Sequence, residues 1–169
     1  MPFEIRVDLP PSMVPLAWME GRWEGVGVAA LPGGEERQFG QEVVMAHDGL
    51  GHLTYRSQSW YLGEDGTPGD PLTSEQGVWR SGDDGSGGLQ VELLLALPEG
   101  AVEIYVGKAA GTKIELASDL VARTSSSTGD TTAARRIYGQ VEGDLLWAHD
   151  VATAGTPMRS VASARLTKV

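Results

Sequence analysis

Gly21-Arg22-Trp23-Glu24-Gly25-Val26-Gly27 is the stretch on which the fold turns. At the two-residue repeat of a strand, Gly21, Trp23, Gly25 and Gly27 share one face. Glycine inside a strand has no side chain to pack, and it marks a bend or the close approach of a neighbour. Trp23 supplies a large apolar body suited to plugging the end of a curved sheet. The heptapeptide therefore predicts a first strand that bends and is closely flanked. Its plainest role is structural closure, without ligand contact. Just before it, residues 12–19 end in the apolar run Leu16-Ala17-Trp18-Met19 and predict a short helical turn, with Pro10, Pro11 and Pro15 limiting its length.

Downstream, apolar residues alternate with polar ones. Leu89, Val91, Leu93, Leu95 and Leu97 share one face, with Gln90 and Glu92 opposite. Val102, Ile104 and Val106 repeat the pattern, with Glu103 and Tyr105 opposite. Turn clusters such as Pro32-Gly33-Gly34, Glu64-Asp65-Gly66 and Glu142-Gly143-Asp144 punctuate these runs. The spacing predicts about ten strands, near residues 20–31, 36–47, 51–62, 72–80, 88–97, 101–108, 112–126, 132–141, 144–153 and 158–168, with 112–126 read as one bent strand or two short ones. Ser, Thr and Gly between Arg123 and Thr132 read as a loop. No linker or repeat divides the chain, so residues 1–169 are read as one domain. A meander of this length hides its edges by closing into a barrel or by packing as a sandwich. Alternation alone leaves both open.

Composition excludes several classes of function. The chain has 169 residues, no cysteine and a net charge of −10. Disulfides and thiolate chemistry are absent. The 13 Lys and Arg residues are scattered, which argues against nucleic acid and anionic membranes as partners. No apolar run is long enough to span a bilayer. Met1-Pro2-Phe3-Glu4-Ile5-Arg6 lacks the basic-then-apolar order of a signal peptide, and a cytoplasmic location is expected. A monomer or a homodimer is expected.

The heptapeptide, with the segments that follow it in order, resembles the nitrobindin family, whose barrels are fatty-acid-binding-protein-like. The likeness runs from about residue 13 to 168. It includes Glu42, Tyr55-Arg56-Ser57-Gln58-Ser59-Trp60, Pro71-Leu72-Thr73-Ser74-Glu75-Gln76-Gly77-Val78-Trp79-Arg80, Arg136 with Tyr138, Leu145-Leu146-Trp147, and Pro157-Met158 through Ala164-Arg165-Leu166. The resemblance implies an all-β fold. It further implies a single closed antiparallel β-barrel of about ten strands, lipocalin-like, with a short N-terminal helical turn.

The resemblance also implies haem b, held by a histidine on the last strand, with activity toward nitric oxide or peroxynitrite. That ligand position falls on Val161, which has no lone pair to give to iron. A second family histidine falls on Thr73. Losing the axial imidazole removes the strongest bond to haem. Of the three histidines, His149 is the best substitute ligand; His47 and His52 lie at strand ends. Met158 reads as core. Glu42 and Glu75 are expected to need partners such as Arg56, Arg80 or Arg136 if they point inward. No catalytic set and no metal site can be read from spacing.

The expected pocket is apolar. Leu89, Val91, Leu93, Ile104 and Trp147 line it, His149 and Thr73 lie at its wall, and Val161, Ser163 and Arg165 face inward from the last strand. Arg165 or Arg136 would pair with a ligand carboxylate. The leading function is therefore a non-enzymatic barrel for a small hydrophobic or planar ligand. The alternatives are a haem protein acting on nitric oxide or peroxynitrite, as a peroxynitrite isomerase, and a barrel filled by its own side chains with a structural role.

Overall fold

The computed structural model describes residues 8–47 and 49–169. A 3₁₀ segment, Pro11–Met19, precedes ten strands: β1 (Gly21–Ala30), β2 (Glu36–His47), β3 (Leu53–Leu62), β4 (Pro68–Asp83), β5 (Leu89–Leu97), β6 (Ala101–Ala110), β7 (Lys113–Arg123), β8 (Thr131–Val141), β9 (Asp144–Thr153) and β10 (Thr156–Lys168). Each strand pairs antiparallel with its sequence neighbours. β1 closes against β10, from Trp23 with Lys168 to Ala29 with Ala162. The result is the expected barrel. The residues read as one bent or two short strands form β7 alone, with a register irregularity where Tyr105 of β6 pairs with Ser118. The N-terminal turn is 3₁₀ rather than α, consistent with Pro15 inside it. The signal-peptide reading of the first six residues lies outside the described residues.

Gly25 and Gly27 do what the heptapeptide implied. A Cβ at Gly25 would meet the Arg165 carbonyl oxygen and Leu166 Cα inside contact distance, and one at Gly27 would meet the Phe39 ring and the Ser163 carbonyl oxygen. Closure of β1 on β10 at this spacing requires glycine. Gly21 opens the strand. Trp23 is fully buried and donates from Nε1 to the Met19 carbonyl at 2.8 Å. Met13, Leu16, Trp18 and Met19 of the 3₁₀ segment are buried in one apolar cluster with Trp23, Leu53, Trp79, Val91 and Leu166, and Ser81 donates from its hydroxyl to the Ser12 carbonyl. One end is therefore a packed plug.

The other end is different. β4 runs further than expected, through Pro68 and Pro71. Its ladder to β5 covers only Gln76 to Asp83, so the earlier half pairs with β3 alone, with register shifts near Trp60. A proline there removes no bond to β5. The β7–β8 ladder is also short, covering Lys113 to Ala117 against Arg135 to Gly139. Beyond it, Ala134 N–H donates to Ser118 Oγ at 2.9 Å.

Candidate functional site

Alternation from the plug upward brings one ring of polar residues inside the barrel: Glu75 on β4, Glu103 and Tyr105 on β6, Arg136 and Tyr138 on β8, and Tyr55 on β3. Arg136 Nη1 donates to Glu75 Oε2 at 2.9 Å, and Nη2 donates to Glu75 Oε1 at 2.5 Å. Tyr55 OH donates to Glu75 at 3.0 Å, and Arg136 Nη1 also reaches Tyr138 OH at 3.3 Å. Tyr105 OH donates to Glu103 at 2.6 Å, and Glu103 stands 3.9 Å from Arg136 Nη2. The Arg136 and Glu75 side chains are only 4% and 12% exposed. Burial by itself would raise the Glu75 carboxyl, but the bidentate guanidinium outweighs it and the carboxyl titrates below its ordinary range. Burial pushes the Glu103 carboxyl and the phenols of Tyr55, Tyr105 and Tyr138 up.

Above this ring lies a cavity of about 70 Å³, lined by Phe39, Gln41, Ser57, Ser59, Leu72, Thr73, Trp147, His149 and Ala162, with Tyr55, Glu75, Arg136 and Tyr138 at its floor. Trp147 Nε1–H donates to Gln41 Oε1 at 2.8 Å, Gln41 donates to Ser57 Oγ at 2.8 Å, and Ser59 Oγ donates to the Thr73 carbonyl at 3.3 Å. His149 Nε2 has no partner in the protein. Burial, then the nearby Arg136 charge, depress the His149 pKa to about 3 against the opposing pull of Glu75. The imidazole is neutral at pH 7.

A neutral buried histidine links stability to pH. The unfolded chain takes up this proton near pH 6.5, whereas the folded chain refuses it until about pH 3. The contribution is thus fully present above pH 6.5 and declines as pH falls, by about 1.4 kcal/mol per unit. Between pH 7 and 5, above the main carboxylate range, wild type should lose stability in urea titrations, and His149→Gln should show a flatter profile. Parallel profiles would contradict the assignment.

Of the expected pocket residues, Thr73, Trp147 and His149 line this cavity. Four others do not. Leu93 is fully buried in the core, paired across to Trp79 and Tyr105. Ile104 sits on the outer face between Leu94 and Leu120, because Glu103 and Tyr105 take the inward positions on β6. Ser163 and Arg165 also face out. Arg165 bonds Asp144 at 2.6 Å and Glu142 at 3.1 Å on the surface, which removes it as a ligand clamp. The inward residues of β10 are Ala162, Ala164 and Leu166, opposite His149, Trp147 and Leu145. Val161 is the extra residue at a register shift between Ser160, which pairs with Asp150, and Ala162. It is half-buried and outside the cavity lining. Glu42 likewise faces out, in an ion pair with Arg22 at 2.6 Å. Leu89 is exposed at the start of β5. The lining is mixed rather than purely apolar: Phe39, Leu72, Trp147 and Ala162 stand over an ion pair and hydroxyl and amide groups. Sequence reasoning missed Gln41, Ser57 and Tyr138 as lining. Their even spacing on β2, β3 and β8 was the available signal.

A larger depression of about 730 Å³ lies on the outer surface over β1, β10, β9 and β8, where Ser163 and Arg165 fall beside Val26, Val28 and Ile137. It is open and holds no unpartnered buried polar atom, so the internal cavity is the better site.

Haem b does not fit this cavity. Ligand pockets for such molecules span roughly 300–1,000 Å³, the cavity holds about 70 Å³, and a buried ion pair occupies its floor. His149 is its only imidazole. Among the described residues no cluster of three or more imidazole and carboxylate groups is arranged for a metal ion, and no helix is long and apolar enough to cross a membrane.

Comparison with known proteins places this architecture. Residues 12–168 match the family described as "THAP4-like, heme-binding beta-barrel domain". The "Ferric nitrobindin-like protein" of Kineococcus radiotolerans is 48% identical, over 100% of this chain and 99% of that one. The "Peroxynitrite isomerase" of Clavibacter michiganensis subsp. michiganensis is 39% identical over 98% of each chain. The crystal structure of Rv2717c from M. tuberculosis superposes with a TM-score of 0.79 at 30% identity, covering 95% of this chain and 99% of that chain. The polar-cored closed barrel described above belongs to the THAP4-like, nitrobindin-type family of β-barrels.

Proposed function

We propose that this chain is a non-catalytic binding barrel of the nitrobindin type that holds a small ligand at the internal cavity without an iron–histidine bond. The observation that carries the reading is the interior itself. The cavity is about 70 Å³ and rests on the Arg136–Glu75 pair, so it suits a small ligand rather than a macrocycle. Val161, which the family resemblance sets at the iron position, supports the same reading because it has no donor atom. The net charge of −10 argues against nucleic acid. A cytoplasmic monomer or homodimer completes the proposal.

The second reading is a haem protein acting on peroxynitrite, favoured by the names of several relatives and by the unpartnered His149 Nε2. Haemin titration of the purified protein separates the two. Wild type is expected to give no sharp, shifted Soret band. A stoichiometric, sharp band in wild type that His149→Leu abolishes would overturn the proposal and make His149 the iron ligand.

A further inference from the structure

Two polar atoms stand apart from the network around the cavity. Arg136 Nε and His149 Nε2 are buried, belong to lining residues, and have no hydrogen-bond partner in the protein. The polar neighbours are already engaged with one another: Gln41 with Ser57 and Trp147, Ser59 with Thr73, and Tyr55 with Glu75. A buried N–H left unpaired is costly. Two such groups lining one space therefore define what that space receives. Arg136 Nε–H is a donor only, so it requires an acceptor. His149 Nε2 donates or accepts according to its tautomer.

Charge and size narrow the class. Glu75 takes both terminal nitrogens of Arg136, so the guanidinium has no free charge to offer an anion. A cationic guest would meet that same guanidinium. An uncharged guest avoids both penalties. The space, about 70 Å³, is smaller than the roughly 150 Å³ cavities that accept benzene. Phe39, Trp147, Leu72 and Ala162 give it apolar walls.

We infer that the cavity receives a small, uncharged, planar polar group no larger than a five-membered azole or a primary carboxamide, which accepts a hydrogen bond from Arg136 Nε and shares one with His149 Nε2. This inference rests on the proposed binding function of the same site. It goes beyond it by fixing the ligand's charge, size and hydrogen-bonding pattern.

The test uses the full chain without haemin, in mildly alkaline buffer where imidazole is uncharged. Imidazole and acetamide are titrated while the Trp147 indole N–H, which is bonded to Gln41, is followed in ¹H–¹⁵N spectra. Acetate and guanidinium serve as charged probes of similar size. Saturable shifts are expected with the neutral probes, with affinity falling about tenfold or more in His149→Leu. Ala162→Leu, which fills the cavity and keeps every polar partner, is expected to abolish binding while leaving the dispersed spectrum of a folded barrel. Tighter binding of acetate or guanidinium would overturn the inference, as would an unchanged affinity in both variants. So would the absence of saturation with every probe. None of these results touches the haemin titration, so the binding reading can stand or fall separately.

Discussion

Arg136→Met is expected to destabilise the barrel by about 3–5 kcal/mol, a fall in Tm of roughly 10–15 °C for a chain of this size. The guanidinium is 4% exposed and gives both terminal nitrogens to Glu75. Removing it leaves a carboxylate with Tyr55 as its remaining hydrogen-bond donor, in a place where an unpaired charge is poorly solvated. Glu103, 3.9 Å from the same guanidinium, loses its nearest cation as well. Because the damage comes from stranded charge, deleting that charge should repair much of it. The double variant Glu75→Gln with Arg136→Met is expected to be markedly more stable than the single one, and the double-mutant cycle to show strong coupling. Urea unfolding of the four proteins measures this. Additive effects would mean the pair is not the organising contact of the interior.

Trp79→Ala is the second large effect, at about 3–5 kcal/mol. Trp79 is fully buried between plug and cavity. Its ring meets Tyr138 edge-on at 4.9 Å and 86°, and Tyr55 at 6.4 Å and 83°. The two rings flank the Arg136–Glu75 pair, so a hole at residue 79 loosens the phenols that hold it. The indole Nε1–H has no partner in the protein. The loss is therefore one of packing, and Trp79→Phe, which deletes the orphaned donor and keeps a ring, should recover more than half of the stability. If Trp79→Phe were as damaging as alanine, shape rather than volume would govern the site. A changed urea m-value in either variant would instead signal a shift in compactness.

Much of the architecture was legible in the sequence, and the reasons are local. Period-two runs marked nearly every strand, and the close-approach glycines Gly25 and Gly27 pointed to closure. Face assignment inside the barrel failed where the usual rule inverts. On β6 the apolar set Val102, Ile104 and Val106 faces outward, and Glu103 with Tyr105 faces inward, because the interior is built on a buried cation. Hydrophobic-inside reasoning selects the wrong face there. On β10 the register shift at Val161 changes which residues face in, and a bulge leaves no mark in alternation alone. Trp147 and His149, two apart on β9, and Thr73 on β4 do lie along the cavity wall. The expected strand at 72–80 left out the first part of β4, which begins at Pro68 and passes through Pro71. They are tolerated where β5 has already ended.

The seam between β1 and β10 also sets the timetable of folding. Trp23 and its neighbours find their partners in residues 162–168, the last strand to be made. At roughly 5–20 residues per second, β1 waits many seconds on the ribosome while β2 to β9 are made, and both margins of that unfinished sheet, β1 and β9, carry unsatisfied backbone groups. A chain truncated before β10 keeps those margins permanently. Such fragments are candidates for strand exchange between molecules and for aggregation rather than for partial function.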